Sequence, residues 1–169
     1  ENEKITSKYY RSDQYDSHKS KPQSAYDYLY AFIQSLMLLY KWLIIKRRIR
    51  SKCNILDIGG GTGFFANFCS SKGLKSTVVE TSSKSRNICK EKNINSFKSI
   101  YEISISNHYG LVTLWHSLEH ITSPDKILNK IYDILEPKGL LVIALPNFKS
   151  HDSSYYKSNW AGLDVPRHL

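Results

Sequence analysis

A glycine-rich run and two acids are the residues whose types and spacing point most clearly to chemistry. An apolar run ends in Asp57 and Ile58 and is followed at once by residues 59–63, Gly-Gly-Gly-Thr-Gly. Glycine allows both positive φ and close approach of the backbone to a ligand, and a helix predicted from Phe64 directs free N–H groups at the turn. Glu80 ends the next apolar run, and an acid about 20 residues after such a turn accepts hydrogen bonds from ribose hydroxyls. The sequence therefore predicts a site for a nucleoside-containing ligand.

The spacing of the glycines argues against two common nucleotide sites. A dinucleotide fingerprint needs glycine at the sixth position of the turn, where this chain has Phe64. A P-loop needs Lys followed by Ser or Thr after its last glycine, and Phe64 and Phe65 stand there instead. Without a pyrophosphate-binding lysine, the turn suits a ligand that is less anionic than ATP. A glycine turn that binds nothing is the alternative interpretation.

Several segments resemble class I S-adenosylmethionine-dependent methyltransferases. The run from Asp57 to Gly63 is similar to motif I of that family. Residues 115–120, Trp-His-Ser-Leu-Glu-His, and residues 131–146 are similar to its segments after the fourth strand and around the fifth. The resemblance covers about residues 53–147 and implies S-adenosylmethionine as the cofactor. The flanks, which include Tyr9-Tyr10 and residues 164–169, resemble a bacterial subgroup found with glycan and cell-envelope genes.

The resemblance also implies roles for individual residues. His116 is the preferred candidate for orienting or deprotonating an acceptor, and Glu119 with His120 is expected to line or support the pocket. The residues predicted to bind the cofactor are Asp57, Gly59, Gly60, Gly61, Gly63, Glu80, Thr81, Trp115 and His116. The residues predicted to act in catalysis are His116, His120 and His168, and those predicted to bind the substrate are Tyr10 and Arg167.

One departure from the family pattern concerns the adenine. Many members carry an acid just after the third strand, which contacts the adenine amine. Here the segment Phe97-Lys-Ser-Ile offers none, and the nearest acid is Glu102. We therefore expect backbone groups or apolar packing to hold the adenine, or a reduced affinity for the cofactor.

A rival interpretation comes from residues 116–120, which match the H-x-x-E-H zinc-protease motif. On a helix, His116 and His120 would share a face one turn apart. That motif needs a long helix, but Trp115 ends a predicted buried strand and Pro124 interrupts the segment soon afterwards. No metal is therefore predicted, and zinc hydrolysis is kept as a minor alternative.

Predicted strands and helices alternate from Cys53 onward, which indicates βαβ crossovers and a parallel sheet. The strands are predicted at residues 53–58, 75–80, 95–97, 111–115 and 140–145, and the helices at residues 64–72, 84–92 and 124–135. The expected fold is α/β, a Rossmann-like, doubly wound and mostly parallel sheet preceded by a helical segment. Because the family has seven strands, we expect a truncated chain whose last two strands would follow Leu169, with the fifth strand as an edge.

Three regions are predicted. Residues 1–50 form a tyrosine-rich segment with capping helices, residues 51–147 the cofactor-binding core, and residues 148–169 an acceptor-side loop. The long apolar segment within the first region contains Gln34, Ser35 and Lys41, which argue against a membrane span. We expect this helix to cover the sheet, with peripheral membrane contact through the basic helix 30–50 as the alternative.

The net charge and the cysteines limit which binding partners and which cellular compartment are expected. The net charge is +9, from 24 basic and 15 acidic residues, and basic residues cluster between Lys41 and Lys52. No aromatic-rich RNA-binding motif accompanies the cluster, so a nucleic-acid partner is not expected. The three cysteines are scattered and odd in number, which predicts free thiols in the cytoplasm.

The leading hypothesis is therefore a cytoplasmic methyltransferase that acts on an oxygen or nitrogen atom of a small-molecule or glycan-type acceptor. A non-catalytic cofactor- or nucleotide-binding module of the same fold is the second hypothesis. A dehydrogenase is the third, and Phe64 at the last fingerprint position argues against it. The acceptor and the oligomeric state are not predicted.

Overall fold

The computed structural model describes residues 24–164. The chain falls into two compact units, residues 1–48 and residues 49–169. The boundary lies two residues before the one predicted between residues 50 and 51. Residues 49–164 are the described part of the second unit, and the division into three regions stays a prediction.

The described part of the first unit is helix α1, Ala25–Ile45. Ser24 begins it with a capping box, since its hydroxyl accepts the N–H of Asp27 at 3.2 Å and its own N–H donates to Asp27 Oδ2 at 3.1 Å. Within α1 only Ile45 is buried. Its length and apolar composition would allow α1 to cross a membrane, a test that core helices and signal sequences also pass.

The second unit is built on a five-stranded parallel sheet with the order β3-β2-β1-β4-β5. The strands are β1 (Asn54–Ile58), β2 (Lys75–Val79), β3 (Asn95–Phe97), β4 (Tyr109–Trp115) and β5 (Leu135–Ala144). The helices are α2 (Phe64–Ser71), α3 (Ser83–Glu91), α4 (Pro124–Ile134) and α5 (His151–Tyr156), with short 3₁₀ turns at Ile100–Glu102, Leu118–His120 and Lys157–Asn159. The predicted α/β fold and its alternation of strands and helices are confirmed.

Strand β4 is buried on both faces, as its nearly continuous apolar sequence predicts, but the apolar run at residues 140–145, for which the same was expected, is half-buried to exposed. Leu56 and Val112 belong to a core cluster that includes Ile131 and Ile134 of α4. A second cluster joins Val78 of β2 to α2, α3 and the segment that follows α3. Side chains alternate between the two faces of each strand, and these clusters pack against them. This packing holds the strand ends in fixed positions.

The last strand differs from its prediction. Pro137-Lys-Gly139 is typical of a turn ahead of the strand predicted at residues 140–145, but β5 begins at Leu135. Leu135 pairs with Tyr109 and Leu140 pairs with Leu111, so residues 136–139 form an irregularity within the strand. Among the described strands β5 lies at the edge of the sheet, as predicted, since it pairs with β4 alone.

Local sequence signals explain where the helices begin. Ser82 precedes α3, and its hydroxyl accepts the N–H of Ser85 at 3.3 Å. Ser150 caps α5 in the same way through the N–H of Ser153 at 3.1 Å. Pro124 occupies the first turn of α4, where its missing N–H costs nothing.

The three cysteines are free and buried, as the sequence predicted. Burial raises the pKa of the Cys69 thiol from 9.0 to about 12. The folded state therefore keeps this thiol protonated where the unfolded chain ionises. The resulting stabilisation is fully present below pH 9.0 and is lost as the pH rises from there toward 12.

We expect the free energy of unfolding to fall more steeply above pH 9.0 in the natural chain than in Cys69→Ala. The difference amounts to at most about 1.4 kcal/mol per pH unit, because one thiol is being ionised. Urea unfolding at a series of alkaline pH values measures it. Parallel curves for the two proteins would contradict the assignment, since every other titrating group is shared.

Candidate functional site

The glycine-rich turn after β1 forms the centre of the candidate site. Gly59, Gly61 and Gly63 have φ values of 72°, 54° and 72°, which residues with a side chain rarely adopt. The N–H of Gly59 donates to Val79 O at 2.8 Å, and the N–H of Gly63 donates to Gly60 O at 2.9 Å. The turn is thus fixed at both ends and leads directly into the N-terminus of α2.

The carboxylate of Glu80 ties this turn to the end of β2. Its Oε2 accepts the N–H of Gly61 at 3.0 Å. Its Oε1 accepts the N–H of Ser82 at 2.9 Å and the Thr81 hydroxyl at 3.3 Å. A carboxylate offers about four acceptor positions, so these three bonds leave capacity for a ligand hydroxyl. The structure brings Glu80 and the glycines together, and it turns Thr81 toward Glu80.

Asp57 supports the turn from within the sheet. Its side chain is buried, and Oδ1 accepts the hydroxyl of Thr113 in β4 at 2.6 Å. A Cβ atom at Gly60 would lie 2.7 Å from Asp57 Oδ2. Gly60 is therefore required because the carboxylate lies directly against it. Asp57 therefore shapes the turn from a buried position and is not exposed to solvent.

The carbonyl groups of the turn are held from the side of α3. Lys92, which directly follows α3, donates from Nζ to Thr62 O at 2.8 Å and lies 4.2 Å from the centroid of the Phe64 ring. Cys89 donates from Sγ to Gly61 O at 3.5 Å. Desolvation by burial lowers the pKa of Lys92. A half-buried ammonium group thus fixes both the turn and the first residue of α2.

The loop after β4 rests against the same turn. The Ser117 hydroxyl donates to Ile58 O at 2.8 Å. A Cβ atom at Gly59 would lie 2.5 Å from Ser117 Cβ, so glycine is required for this approach. The N–H of His116 donates to Ala144 O at 3.0 Å. The loop is therefore fixed to both β1 and β5, next to the predicted cofactor site.

His116 occupies a strained position at the start of this loop. Its φ is 54°, which is uncommon for a residue other than glycine and is found at functional sites. The imidazole is 65% exposed, and its Nδ1 lies 3.8 Å from Oε1 of Glu119, whose side chain is only 9% exposed. Trp115 packs edge-on against Phe65, with ring centroids 5.6 Å apart. The loop thus exposes the His116 imidazole to solvent and holds the nearly buried Glu119 carboxylate next to it.

The structure does not place His116 and His120 on a long helix. Leu118–His120 is a single 3₁₀ turn, and His120 is half-buried at its end. Between residues 24 and 164, no group of three or more His, Cys, Asp or Glu side chains could hold a metal ion. The zinc-hydrolase alternative thus finds no support in this part of the chain.

The three other predicted residues, Tyr10, Arg167 and His168, lie outside the residues that the structure describes. Their assignment to the acceptor side stays a prediction.

An acid does reach the carboxyl end of β3. Oε2 of Glu102 accepts the N–H of Lys98 at 3.2 Å, and Lys98 directly follows the strand. The 3₁₀ turn Ile100–Glu102 folds the chain back and makes this contact. The expectation that this strand end has no acid was based on the order of the residues alone, which does not show the fold-back.

The residues of the turn fit S-adenosylmethionine. A Cβ atom at Gly61 would have no neighbour within 4 Å, so the space beside the turn is open. The Thr62 hydroxyl is buried without a hydrogen-bond partner among residues 24–164. Together with the acceptor capacity of Glu80, these groups suit a ligand that carries ribose hydroxyls and a polar chain.

Comparison with known proteins agrees with this geometry. The sequence profile described as "Methyltransferase domain" matches residues 38–169. The ubiquinone/menaquinone biosynthesis C-methyltransferase UbiE of Francisella tularensis subsp. holarctica is 28% identical in an alignment of 116 residues, and the match covers 61% of this chain and 46% of that protein. The chain thus spans about half the length of the curated relatives it matches.

Solved structures show the same fold. Coclaurine N-methyltransferase, bound to N-methylheliamine and SAH, has a TM-score of 0.57 at 19% identity, over 73% of this chain and 38% of its own. The glycopeptide N-methyltransferase MtfA, complexed with sinefungin, has a TM-score of 0.55 at 14% identity, over 70% of this chain and 55% of its own. At these identities the likeness concerns the fold.

Three residues of the site had not been predicted, namely Lys92, Thr113 and Ser117. Each makes its contact with an element that is distant in the sequence, so no local motif marks it. Thr113 alone gives a signal, because a hydroxyl within an otherwise apolar buried strand needs a partner.

We expect Lys92→Met to weaken the binding of S-adenosylhomocysteine by about three- to tenfold, because Thr62 O and the Phe64 ring lose the ammonium group that fixes the turn. Titration calorimetry measures the change. Lys90→Met is the matched control, since Lys90 is exposed in the last turn of α3. Equal affinities for the two variants would show that Lys92 does not shape the site.

Proposed function

The chain belongs to the methyltransferase-domain family, and we propose that it transfers a methyl group from S-adenosylmethionine to an oxygen or nitrogen atom of a small-molecule acceptor, glycan-type acceptors included. The sequence-based assignment to the class I S-adenosylmethionine-dependent methyltransferases, with this cofactor, is confirmed at the level of the family. The single observation that carries the acceptor side of the proposal is the exposed imidazole of His116, on a loop that Ser117 fixes to the cofactor turn.

The cofactor would be held by the residues of the turn and by the end of β2. Glu80 has acceptor capacity for the ribose hydroxyls, and it already orients the N–H of Gly61. The buried Thr62 hydroxyl offers a donor or acceptor to the methionine part. The carboxylate of Glu102, at the end of β3, is positioned to accept a hydrogen bond from the adenine amine.

When bound, S-adenosylmethionine supplies an electrophilic methyl carbon, so the contribution of the protein is chiefly positioning. His116 would take the proton that an acceptor hydroxyl loses as its bond to the methyl group forms, or the proton that an ammonium must lose before its nitrogen can attack. The carboxylate of Glu119, 3.8 Å from Nδ1, stabilises the resulting imidazolium. Because the Glu119 side chain is nearly buried, its charge is weakly screened there.

Transfer to a carbon atom is the second candidate, and one observation favours it. The curated relatives are named C-methyltransferases of ubiquinone and menaquinone biosynthesis. A hydroquinone-type acceptor also needs a base to remove a proton, so His116 would keep its role.

The cytoplasm remains our proposal for the compartment. Three free thiols in the described residues suit a reducing environment.

The first test is a calorimetric titration with S-adenosylhomocysteine, with NADH as the control. Binding of S-adenosylhomocysteine alone supports the cofactor assignment. Release of S-adenosylhomocysteine from S-adenosylmethionine is then measured with a panel of sugar amines, phenols and hydroquinones. A chain that binds the cofactor but turns over no member of the panel would favour the non-catalytic module.

We expect Glu80→Ala to lower the affinity for S-adenosylhomocysteine by about 100-fold, because it removes the ribose acceptor and leaves the N–H of Gly61 without its partner. Calorimetry with Asp133→Ala as the control measures this, since Asp133 is exposed on α4. An unchanged affinity in Glu80→Ala would refute the role of Glu80.

We expect His116→Asn to lower the rate of methyl transfer by about 100-fold while S-adenosylhomocysteine binding changes less than about twofold. Asparagine tolerates the positive φ of this position, so the loop keeps its shape. Single-turnover rates with an acceptor from the panel measure the loss, and His151→Asn, at an exposed site, is the control. Full transfer activity in His116→Asn would remove His116 from the mechanism.

A further inference from the structure

Helix α1 exposes a large apolar surface that the proposed function does not use. Phe32 is 60% exposed and Leu36 is 48% exposed. Its other exposed large apolar side chains are Tyr26, Tyr28, Leu29, Tyr30, Ile33, Met37, Leu39, Tyr40 and Leu43. Soluble proteins rarely expose a contiguous apolar surface of this kind unless it meets a partner or a membrane.

The polar residues of α1 lie away from this surface. Asp27, Gln34 and Lys41 are spaced seven residues apart, which places them along one side of the helix, and all three are half-buried. The exposed remainder of the helix carries no charged residue. Its Ser35 hydroxyl donates to Ala31 O at 2.9 Å, so that polar group is bonded within the helix. The exposed side is therefore apolar along its whole length of about 30 Å.

The charges next to α1 all have one sign. Lys46, Arg47 and Arg48 follow the helix directly, and all three are exposed. Arg50 and Lys52 extend the basic run, and no Asp or Glu occurs between Asp27 and Asp57. A cluster of basic residues at the end of an apolar helix attracts anionic lipid head groups. Each basic residue that lies near the negative membrane surface adds to the binding free energy.

The tyrosine and tryptophan residues of α1 lie toward its two ends rather than in its middle. Tyr26, Tyr28 and Tyr30 lie in its first two turns, and Tyr40 and Trp42 lie near its last. Tyrosine and tryptophan prefer the boundary between lipid tails and water, because one part of the side chain is apolar and the other forms hydrogen bonds.

We propose that α1 attaches this protein to membranes that contain anionic lipids. The exposed apolar side of α1 inserts among the lipid tails, and the basic residues 46–52 contact the head groups. This role is the alternative that the sequence offered beside sheet covering, and the exposed apolar side chains of α1 support it. The proposal does not depend on which molecule accepts the methyl group.

The test is flotation of the complete chain with phosphatidylcholine vesicles that contain phosphatidylglycerol, compared with vesicles of phosphatidylcholine alone. We expect the protein to float with the anionic vesicles. Lys46→Gln/Arg47→Gln/Arg48→Gln should lower the partition coefficient by about tenfold or more. Phe32→Ser/Leu36→Ser should lower it on both kinds of vesicle, because apolar contact is lost.

The matched control is Lys75→Gln/Lys90→Gln/Lys126→Gln, which removes the same charge from exposed positions outside this region. Circular dichroism and thermal melting establish that all variants fold. Equal partitioning of the two triple variants, or no flotation of the natural chain, would overturn the proposal. So would a dimer in sedimentation velocity that Phe32→Ser/Leu36→Ser dissociates, with no vesicle binding, because the apolar side would then meet a second copy.

Discussion

The hydrogen bond from the N–H of Gly61 to the carboxylate of Glu80 is the contact on which the site depends. It joins the turn after β1 to the end of the neighbouring strand β2, so two separate strand ends become one binding edge. Positive φ at Gly61 is a condition for that bond, since a side chain there would strain the backbone. The same carboxylate retains acceptor capacity. One group therefore builds the site and is able to bind the ligand.

The parallel sheet makes such a junction feasible. Because β1, β2 and β4 run in the same direction, their carboxyl ends meet at one edge, where open α/β sheets bind ligands. Buried apolar side chains on both faces hold the strand ends with little freedom. The contact between Ser117 and Gly59 then couples the cofactor turn to the loop that carries His116. The glycine turn and the loop that carries His116 are thus positioned by a single rigid frame.

Local sequence patterns predicted what depends on neighbouring residues. The glycine run required a turn and the acid after the second apolar run marked a strand end, and both are present in the structure. The continuous apolar run of β4 marked a buried strand correctly, whereas the run at residues 140–145 lies in the half-buried edge strand β5. The contacts of Lys92 and Ser117 could not be predicted, because they depend on how α3 and the loop after β4 pack against the turn. The irregularity at residues 136–139 likewise arises from pairing with β4, not from the turn residues themselves.

Helix α1 shows how far a local prediction reaches, because the helix is present while its packing role is a separate question. Apolar content alone does not distinguish a helix buried in a core from one that meets lipid, because both remove the same surface from water. The distinguishing information lies in the polar residues. The less exposed side carries Asp27, Gln34 and Lys41 beside Leu38 and Ile45, whereas the large side chains on the exposed side are apolar. Within the basic run that follows, Arg50 lies 3.7 Å from Glu136, and Lys46, Arg47 and Arg48 are exposed, so electrostatic attraction and apolar insertion favour the same anionic surface.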